Sequence, residues 1–259
     1  MLGLVTFKHK YVYMARKNSR LTAIFEPESL ETNDYEQNNW ELNFNIKSKF
    51  KFSEKHQRFV KTLIDEKTKM VFADGFAGTA KTYLSVYGAL SLLESKKVDE
   101  IIYLRSVVES ATQKIGHLPG ELEQKFQPYS LPLIDKLDEL VSKTTSDKLV
   151  KQGYIKCLPV NFTRGLTFHN SIVIIDEAQN LTRQELVTLL TRFGENSKYV
   201  IIGDTNQSDI NGKSGFKPII KAFDSDTSEV NGIHTFKFYK NEIVRSQILK
   251  HIVHVLESV

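Results

Sequence analysis

The stretch GFAGTAKT, Gly75 to Thr82, has the residue types and spacing of a phosphate-binding loop, G-x-x-x-x-G-K-[ST], except that Ala80 replaces the second glycine. In such loops successive backbone N–H groups point into one concavity at a helix N-terminus, where the helix dipole also favours an anion. Lys81 would reach the β- and γ-phosphates and Thr82 would offer its hydroxyl to Mg²⁺. The residues whose backbone we expect to bind phosphate are Gly75, Phe76, Ala77, Gly78, Thr79, Ala80, Lys81 and Thr82.

Ala80 is the one departure from this pattern. It keeps its N–H donor, but a positive φ at this position would cost about 1–2 kcal/mol for a residue with a Cβ. Glycine turns before helices also occur as plain connections, so the loop alone leaves that alternative open.

A pair of acids follows an apolar run in SIVIIDEAQN. Asp176 suits a water-mediated contact to Mg²⁺, and Glu177 suits activation of a water that attacks a γ-phosphate. Surface Asp-Glu pairs are common and usually carry no function. Two charges at the rim of a buried strand, however, call for a cation.

A third motif, YVIIGDTNQSD, follows the next apolar run and places Gln207 where it could sense a γ-phosphate or the attacking water. The alternative is a strand-to-loop turn built from residues that favour turns.

These motifs need a scaffold that brings them to one edge, and the apolar runs predict one. Val/Ile-rich runs alternate with stretches of helical spacing, which indicates an α/β fold with a parallel sheet covered by helices on both faces. Ligands bind at the carboxyl edge of such sheets. The predicted strands are residues 70–74, 100–106, 154–160, 171–177, 198–204 and 233–238.

Composition agrees with a globular domain outside the membrane. Of the 259 residues 41% are hydrophobic and 25% charged, and no run approaches the roughly 20 apolar residues of a membrane helix. We read no secretory signal at the start of the chain. The single cysteine, Cys157, excludes an internal disulfide and suits the cytoplasm.

The chain before the first predicted helix differs in character. Residues 8–20 carry bases without acids, and residues 26–41 carry acids without bases. Such blocks are typical of a solvated, partly flexible extension, which we assign to residues 1–48, with the main domain at 49–259. The alternative is a basic arm that contacts phosphates. The net charge of +4 permits nucleic-acid binding without arguing for it.

Taken together, GFAGTAKT, DEAQN and GDTNQSD resemble the first RecA-like domain of superfamily 1 helicases, and in particular the PhoH-like ATPases. The segments IGHLPGELEQKFQPYSLPLID and NFTRGLTFHN also resemble that family. The resemblance covers roughly residues 50–257 and implies a P-loop NTPase with a single RecA-like sheet, using ATP and Mg²⁺.

The resemblance also implies roles for two residues that spacing alone does not single out. Gln57 matches the glutamine that reads the adenine base, although on a helix face it could simply be solvated. Arg245, in KNEIVRSQILKHIV, matches the arginine that contacts the γ-phosphate and would stabilise charge on the transferring group.

Three further arginines have open roles. Arg105 lies where the family usually has the sequence threonine-arginine-proline. Both this residue and Arg164 are candidates for contacts to nucleic acid or to a neighbouring subunit. For each, the alternative is a structural ion pair. We expect Arg192 near the opposite sheet edge, where it would either reach across an interface or complement a helix dipole.

A superfamily 1 helicase closes its nucleotide site with a second RecA-like domain, which residues up to Val259 do not contain. We therefore expect a homo-oligomer, with a hexameric ring as one form, in which a neighbour completes the site.

The expected function is Mg²⁺-dependent ATP hydrolysis coupled to remodelling of RNA or single-stranded DNA. Phe126, Tyr129 and the lysines at 47, 49 and 51 could contact such a polymer, but core packing and a solvated linker are the favoured explanations for them. The rival hypothesis is a nucleotide-binding sensor or assembly protein that hydrolyses slowly or not at all.

Overall fold

A computed structural model describes residues 42–106, 122–163, 165–210, 212–244 and 255, and for residues 122–129 and 161–162 only the backbone. The strands are β1 (Met70–Gly75), β2 (Glu100–Arg105), β3 (Ile155–Pro159), β4 (Ser171–Asp176), β5 (Lys198–Gly203) and β6 (Ile233–Phe238). The helices are α1 (Glu54–Ile64), α2 (Lys81–Glu94), α3 (Leu122–Leu140), α4 (Lys143–Lys151), α5 (Arg183–Leu190), α6 (Phe216–Phe223) and α7 (Asp226–Val230).

The strands form one parallel sheet in the order β3-β2-β4-β5-β1-β6. Every predicted strand is present within one residue of its expected ends, so the predicted α/β fold is confirmed. All six carboxyl ends meet at one edge. The β1–α2, β4–α5 and β5–α6 connections, which carry the three motifs, therefore lie side by side.

Helices cover both faces of this sheet. On one face Val173, Ile175 and Ile201 pack with Leu186 of α5 and Phe216 of α6 in a single apolar cluster. The residues that alternate with them along the strands are equally buried, because α2 contacts β2, β4 and β5 from the other side. Burial on both faces explains why the strands are almost continuously apolar.

Helices α1 and α5 begin with capping boxes. In each, the side chain of the first residue accepts from the backbone N–H three residues later, and the side chain of that later residue accepts from the backbone N–H of the first. Ser53 caps α1 with His56, and Thr182 caps α5 with Glu185. At the start of α2, by contrast, Ala80 offers no side-chain cap. The first N–H groups of α2 are thus left for another partner.

Within the part of the chain that the structure describes, no helix is both long and apolar enough to cross a membrane. The predicted boundary between an extension and the main domain, at residues 48 and 49, stays a prediction, because residues 1–41 lie outside the described ranges.

Candidate functional site

The loop between β1 and α2 turns through two left-handed residues. Gly78 has φ 84° and Ala80 has φ 65°. Ala80 therefore adopts the conformation whose cost for an L-residue is about 1–2 kcal/mol. The strain lies at the residue immediately before α2, which begins at Lys81.

The start of the loop lies tightly against β6. A Cβ on Gly75 would stand 2.5 Å from the carbonyl oxygen of Phe238, so only glycine fits there. At the other end of the loop, Lys81 Nζ donates to the carbonyl oxygens of Gly75 at 2.5 Å and Phe76 at 3.0 Å. Burial lowers the pKa of Lys81, and the nearby carboxylates, first Asp204 and then Asp176, oppose that shift.

Asp176 ends β4 directly beside the first turn of α2. Thr82 Oγ1 donates to its Oδ1 at 3.3 Å and to its Oδ2 at 3.4 Å. The hydroxyl of Tyr103, on β2, also donates to Oδ2, and the Glu177 N–H donates to Oδ1 at 2.9 Å. Burial, followed by repulsion from Glu177, raises the pKa of the Asp176 carboxyl. A buried carboxylate with a pKa raised in this way favours a cation as its partner.

The donor set fits Mg²⁺. A carboxylate and a hydroxyl oxygen stand together at a phosphate-binding loop, and Mg²⁺ takes one or two protein oxygens with the rest from phosphates and water. Among the described residues no group of three or more His, Cys, Asp or Glu side chains offers a metal site made by the protein alone.

Glu177 is held at both carboxylate oxygens. Arg105 Nη2 lies 3.3 Å from Oε1 and forms an ion pair with it. Gln179 Nε2 donates to Oε2 at 2.6 Å. The backbone of Glu177 is left-handed, with φ 54°, which turns the chain sharply after the strand.

Gln179 also links β4 to the end of β5. Its Oε1 accepts from the Asp204 N–H at 3.0 Å, while its Nε2 holds Glu177. The side chain is 3% exposed, so this bridge is inside the protein. One amide thus connects the candidate base with the GDTNQSD motif.

Asp204 itself faces the phosphate-binding loop. Its Oδ1 accepts from the Asn206 N–H at 3.0 Å, and its Oδ2 has no hydrogen-bond partner among the described residues. Burial raises the pKa of this carboxyl, against the opposing effects of the Asn206 N–H bond and the Lys81 charge. Thr205, the next residue, bonds both oxygens of Asp74 at 2.9 Å and so joins the ends of β5 and β1.

These groups surround a cleft of about 560 Å³. Its far wall comes from α3, where Lys136 and Glu139 form an ion pair at 2.7 Å, and from Phe50 ahead of α1. Val244 closes the end near β6, and its N–H donates to the Gly78 carbonyl at 3.1 Å. The residues that line the cleft are Phe50, Ala77, Gly78, Thr79, Ala80, Lys81, Thr82, Tyr83, Lys136, Glu139, Asp176, Glu177, Gly203, Asp204, Gln207 and Val244.

The structure brings most of the predicted residues together. The loop from Ala77 to Thr82, Asp176, Glu177 and Gln207 all line the cleft, and Arg105 reaches it through its ion pair with Glu177. The other candidates lie elsewhere or outside the described residues.

Gln57 is exposed on α1, where its Nε2 donates to the Phe52 carbonyl at 3.1 Å, and it does not line the cleft. Arg192 lines a separate cavity beside α5, and its carbonyl accepts from Phe168 ahead of β4, near the amino edge. Arg164 and Arg245 lie outside the described residues.

Three residues with clear contacts were missed from the sequence: Tyr103, Gln179 and Asp204. Gln179 and Asp204 belong to the quoted motifs DEAQN and GDTNQSD, so a signal was available for both. Tyr103 sits in an apolar run whose pattern indicates only a core position, and no sequence signal distinguishes its hydroxyl.

The fold and the site together define the class of protein. The GFAGTAKT loop lies at the carboxyl edge of a parallel sheet, and its last residue, Thr82, contacts Asp176. This arrangement is that of a P-loop NTPase. The family model described as "PhoH-like protein" matches residues 49–257. The chain belongs to the PhoH-like family.

Curated relatives agree. The chain is 36% identical over 192 residues to a PhoH-like protein of Mycobacterium tuberculosis, covering 73% of this chain and 53% of that protein. It is 33% identical over 193 residues to a PhoH-like protein of Bacillus subtilis, covering 74% and 60%. It is 35% identical over 193 residues to Protein PhoH of Escherichia coli, covering 73% and 53%. The chain thus spans between half and two thirds of the length of these relatives.

Two solved structures are more distantly similar. The Pif1 helicase of Candida albicans is 17% identical, with 73% of this chain and 40% of that chain covered at a TM-score of 0.37. A Bacteroides sp Pif1 in complex with ADP-AlF4 is 18% identical, with 80% and 46% covered at a TM-score of 0.37. At this level of similarity neither bears on the function of the chain.

Proposed function

We propose that this protein is an Mg²⁺-dependent ATPase. The observation that carries the proposal is the meeting of Thr82 Oγ1 with the Asp176 carboxylate, 3.3 Å apart, at the N-terminus of α2. Backbone N–H groups of a helix start without a side-chain cap, a lysine, a hydroxyl and a carboxylate there form the set that binds a triphosphate with its metal ion. Mg²⁺, held by Thr82 and Asp176, would neutralise charge on the β- and γ-phosphates.

The protein groups divide the remaining work. The loop amides bind the phosphates, and Lys81 turns from the Gly75 and Phe76 carbonyls onto the phosphate oxygens. Glu177 takes a proton from a water whose oxygen attacks the γ-phosphorus, and the bond to the bridging oxygen breaks to leave ADP. Gln207, on the cleft wall, orients that water or senses the γ-phosphate.

Arg245 is proposed to stabilise charge on the transferring phosphoryl group. The residue before it supports this role, because Val244 lines the cleft and bonds the loop carbonyl of Gly78. Gln57 is proposed to read the adenine base, for which its amide must leave the Phe52 carbonyl. Its test is a Gln57→Ala variant that loses preference for ATP over GTP.

The proposed use of hydrolysis is remodelling of RNA or single-stranded DNA by a homo-oligomer, for which a hexameric ring is one arrangement. A neighbouring copy would complete the cleft, which the described residues do not fully enclose. Native mass with and without ATP tests the assembly. A cytoplasmic location stays a prediction; the half-buried Cys157 thiol, whose pKa partial burial raises to about 11, is compatible with it.

A second candidate function, a sensor that binds ATP with little turnover, has two observations in its favour. Ala80 strains the loop, and both oxygens of Glu177 are already bonded. In this reading the cleft binds nucleotide and its occupancy, rather than hydrolysis, is what the protein reports.

Steady-state ATP hydrolysis with and without Mg²⁺, poly-RNA and single-stranded DNA separates the two. Turnover that needs Mg²⁺ and rises with either polymer supports the ATPase, and tight binding with negligible turnover in every condition supports the sensor. Lys81→Ala should abolish nucleotide binding. Glu177→Gln should bind ATP normally while turnover falls at least about 100-fold, and normal turnover in that variant refutes the assigned base.

A further inference from the structure

The carboxylate of Glu177 is not free to act as a base in this structure. Its Oε1 is paired with Arg105 at 3.3 Å, and its Oε2 accepts from Gln179 at 2.6 Å. A water molecule that is to donate to Oε1 must compete with the guanidinium that already occupies this oxygen. The neutral amide of Gln179 orients the group without adding a charge.

The strand register makes this pair a product of the fold. Arg105 is the last residue of β2 and lies opposite Asp176 on β4, one residue before Glu177. The backbone there is secured, because Ser106 Oγ donates to the Asn180 carbonyl at 2.9 Å. The strand end is fixed while the long arginine side chain can change partners.

The pair is also reachable from outside. The side chains of Arg105 and Glu177 are 25% and 39% exposed, unlike the buried Asp176 behind them. An external anion can therefore approach the guanidinium without opening the core. Phosphate is the anion that suits it best, because a guanidinium binds phosphate oxygens through two parallel N–H donors.

We propose that Arg105 is a positioning residue that holds Glu177 in a resting state, and that a backbone phosphate of single-stranded nucleic acid releases Glu177 by taking Arg105. This inference rests on the proposed ATPase function and names its regulation. The released Glu177 has Oε1 free for the proton of the attacking water, while Gln179 keeps the carboxylate oriented through Oε2. Single-stranded nucleic acid is the favoured occupant, because its backbone presents closely spaced phosphates and the proposed remodelling function already brings such a polymer to this protein.

The test compares Arg105→Gln and Arg105→Lys with the unaltered chain in steady-state ATP hydrolysis, with and without poly-RNA. Loss of a partly exposed ion pair should raise basal kcat about two- to fivefold with KM for ATP unchanged. Stimulation by RNA should shrink by the same factor. Arg105→Lys, which keeps the charge, should retain most of the restraint.

Matched controls separate release of the base from general loosening. Lys156→Gln removes the ion pair with Glu100, which joins β3 to the same strand β2 away from the cleft, and should leave basal kcat and stimulation unchanged. The double variant Arg105→Gln/Glu177→Gln should lose the gain entirely. ATP affinity and melting temperature confirm that each variant is folded.

The outcomes are distinct. If the unaltered chain hydrolyses ATP and Arg105→Gln lowers kcat, or leaves kcat and stimulation as they were, the restraint by Arg105 is refuted while the ATPase stands. If no chain hydrolyses ATP in any condition, the ATPase itself fails, and this inference with it. If turnover rises with protein concentration rather than with RNA, and Arg105→Gln removes that rise, the releasing anion belongs to a second copy and the nucleic-acid assignment is wrong.

Discussion

The hydroxyl of Tyr103 on β2 donates a hydrogen bond to Oδ2 of Asp176 on β4, inside the protein. Thr82 approaches the same carboxylate from α2. Two hydroxyl groups therefore orient the Asp176 carboxylate before any metal ion binds. Thr82 donates from the first turn of α2, and Tyr103 donates from the interior of the sheet. Such outer contacts orient metal-binding groups and tune their affinity.

We predict that Tyr103→Phe weakens the Mg²⁺ dependence of nucleotide binding. Loss of a hydrogen bond to a charged group should lower apparent Mg²⁺ affinity about tenfold, with nucleotide binding in the absence of Mg²⁺ unchanged. The measurement is a Mg²⁺ titration of fluorescent-nucleotide binding, independent of turnover. Tyr199→Phe is the control, because the buried Tyr199 hydroxyl has no partner among the described residues. Equal Mg²⁺ curves for Tyr103→Phe and the unaltered chain contradict the prediction.

We predict that Asp176→Asn stabilises the nucleotide-free protein at neutral pH. Burial and the charge of Glu177 raise the pKa of Asp176, so the folded state binds this proton more tightly than the unfolded chain. The contribution of Asp176 to stability therefore falls as pH rises above the unfolded value of about 3.9. Asparagine removes that cost and should raise the melting temperature at pH 7 by about 2–4 °C, the effect of about 1 kcal/mol in a domain of this size.

The difference should shrink as the pH falls toward 4, because Asp176 of the unaltered chain gains its proton in that direction. Thermal melts at both pH values measure it, and Asp147→Asn, on the exposed side of α4, serves as the control. A variant that melts lower than the unaltered chain at pH 7 shows that the carboxylate is stabilising after all.

We predict that Gln179→Ala impairs both stability and turnover. The buried Asp204 N–H would lose its acceptor, at a cost of about 1–3 kcal/mol, and Glu177 would lose its neutral partner. We expect kcat to fall about tenfold while ATP affinity changes little. Melting curves and steady-state kinetics test this together. Gln184→Ala, exposed on α5, should change neither, and full turnover in Gln179→Ala argues against a role for the bridge.

We predict that Ala80→Gly relaxes the phosphate-binding loop. Glycine removes the cost of φ 65°, partly offset by its greater freedom in the unfolded chain, for a net gain of up to about 1 kcal/mol. Melting temperature should rise and ATP affinity should hold or improve, as calorimetry would show. Lys96→Gly, at φ 56° beyond the end of α2, should raise the melting temperature without affecting ATP. Weaker ATP binding by Ala80→Gly would contradict the prediction and show that the alanine favours ATP binding by making the loop more rigid.

Much of the fold was predictable because its signals are local. Runs such as SIVIID and KYVIIG are apolar at every position, which is typical of strands buried on both faces, and their ends fell within one residue of the prediction. The positions of Lys81, Thr82, Asp176 and Glu177 followed, since parallel strands end at a common edge.

The contacts that adjust the site were not predictable, because they depend on which strands are neighbours and in what register. Tyr103 reaches Asp176 only because β2 lies beside β4, although the two residues are 73 positions apart in the sequence. The pairing of Arg105 with Glu177 depends on the same register. A single sequence carries no trace of either.

The hydrogen bond from Val244 N–H to the Gly78 carbonyl joins the chain beyond β6 to the tip of the loop. Glycine loops change shape by rotating single peptide planes, and rotation of the plane that carries this carbonyl would break the bond. The conformation of the loop and the hydrogen bond that holds Val244 therefore change together. A ligand whose binding rotates this peptide plane would therefore release Val244, the residue immediately before Arg245.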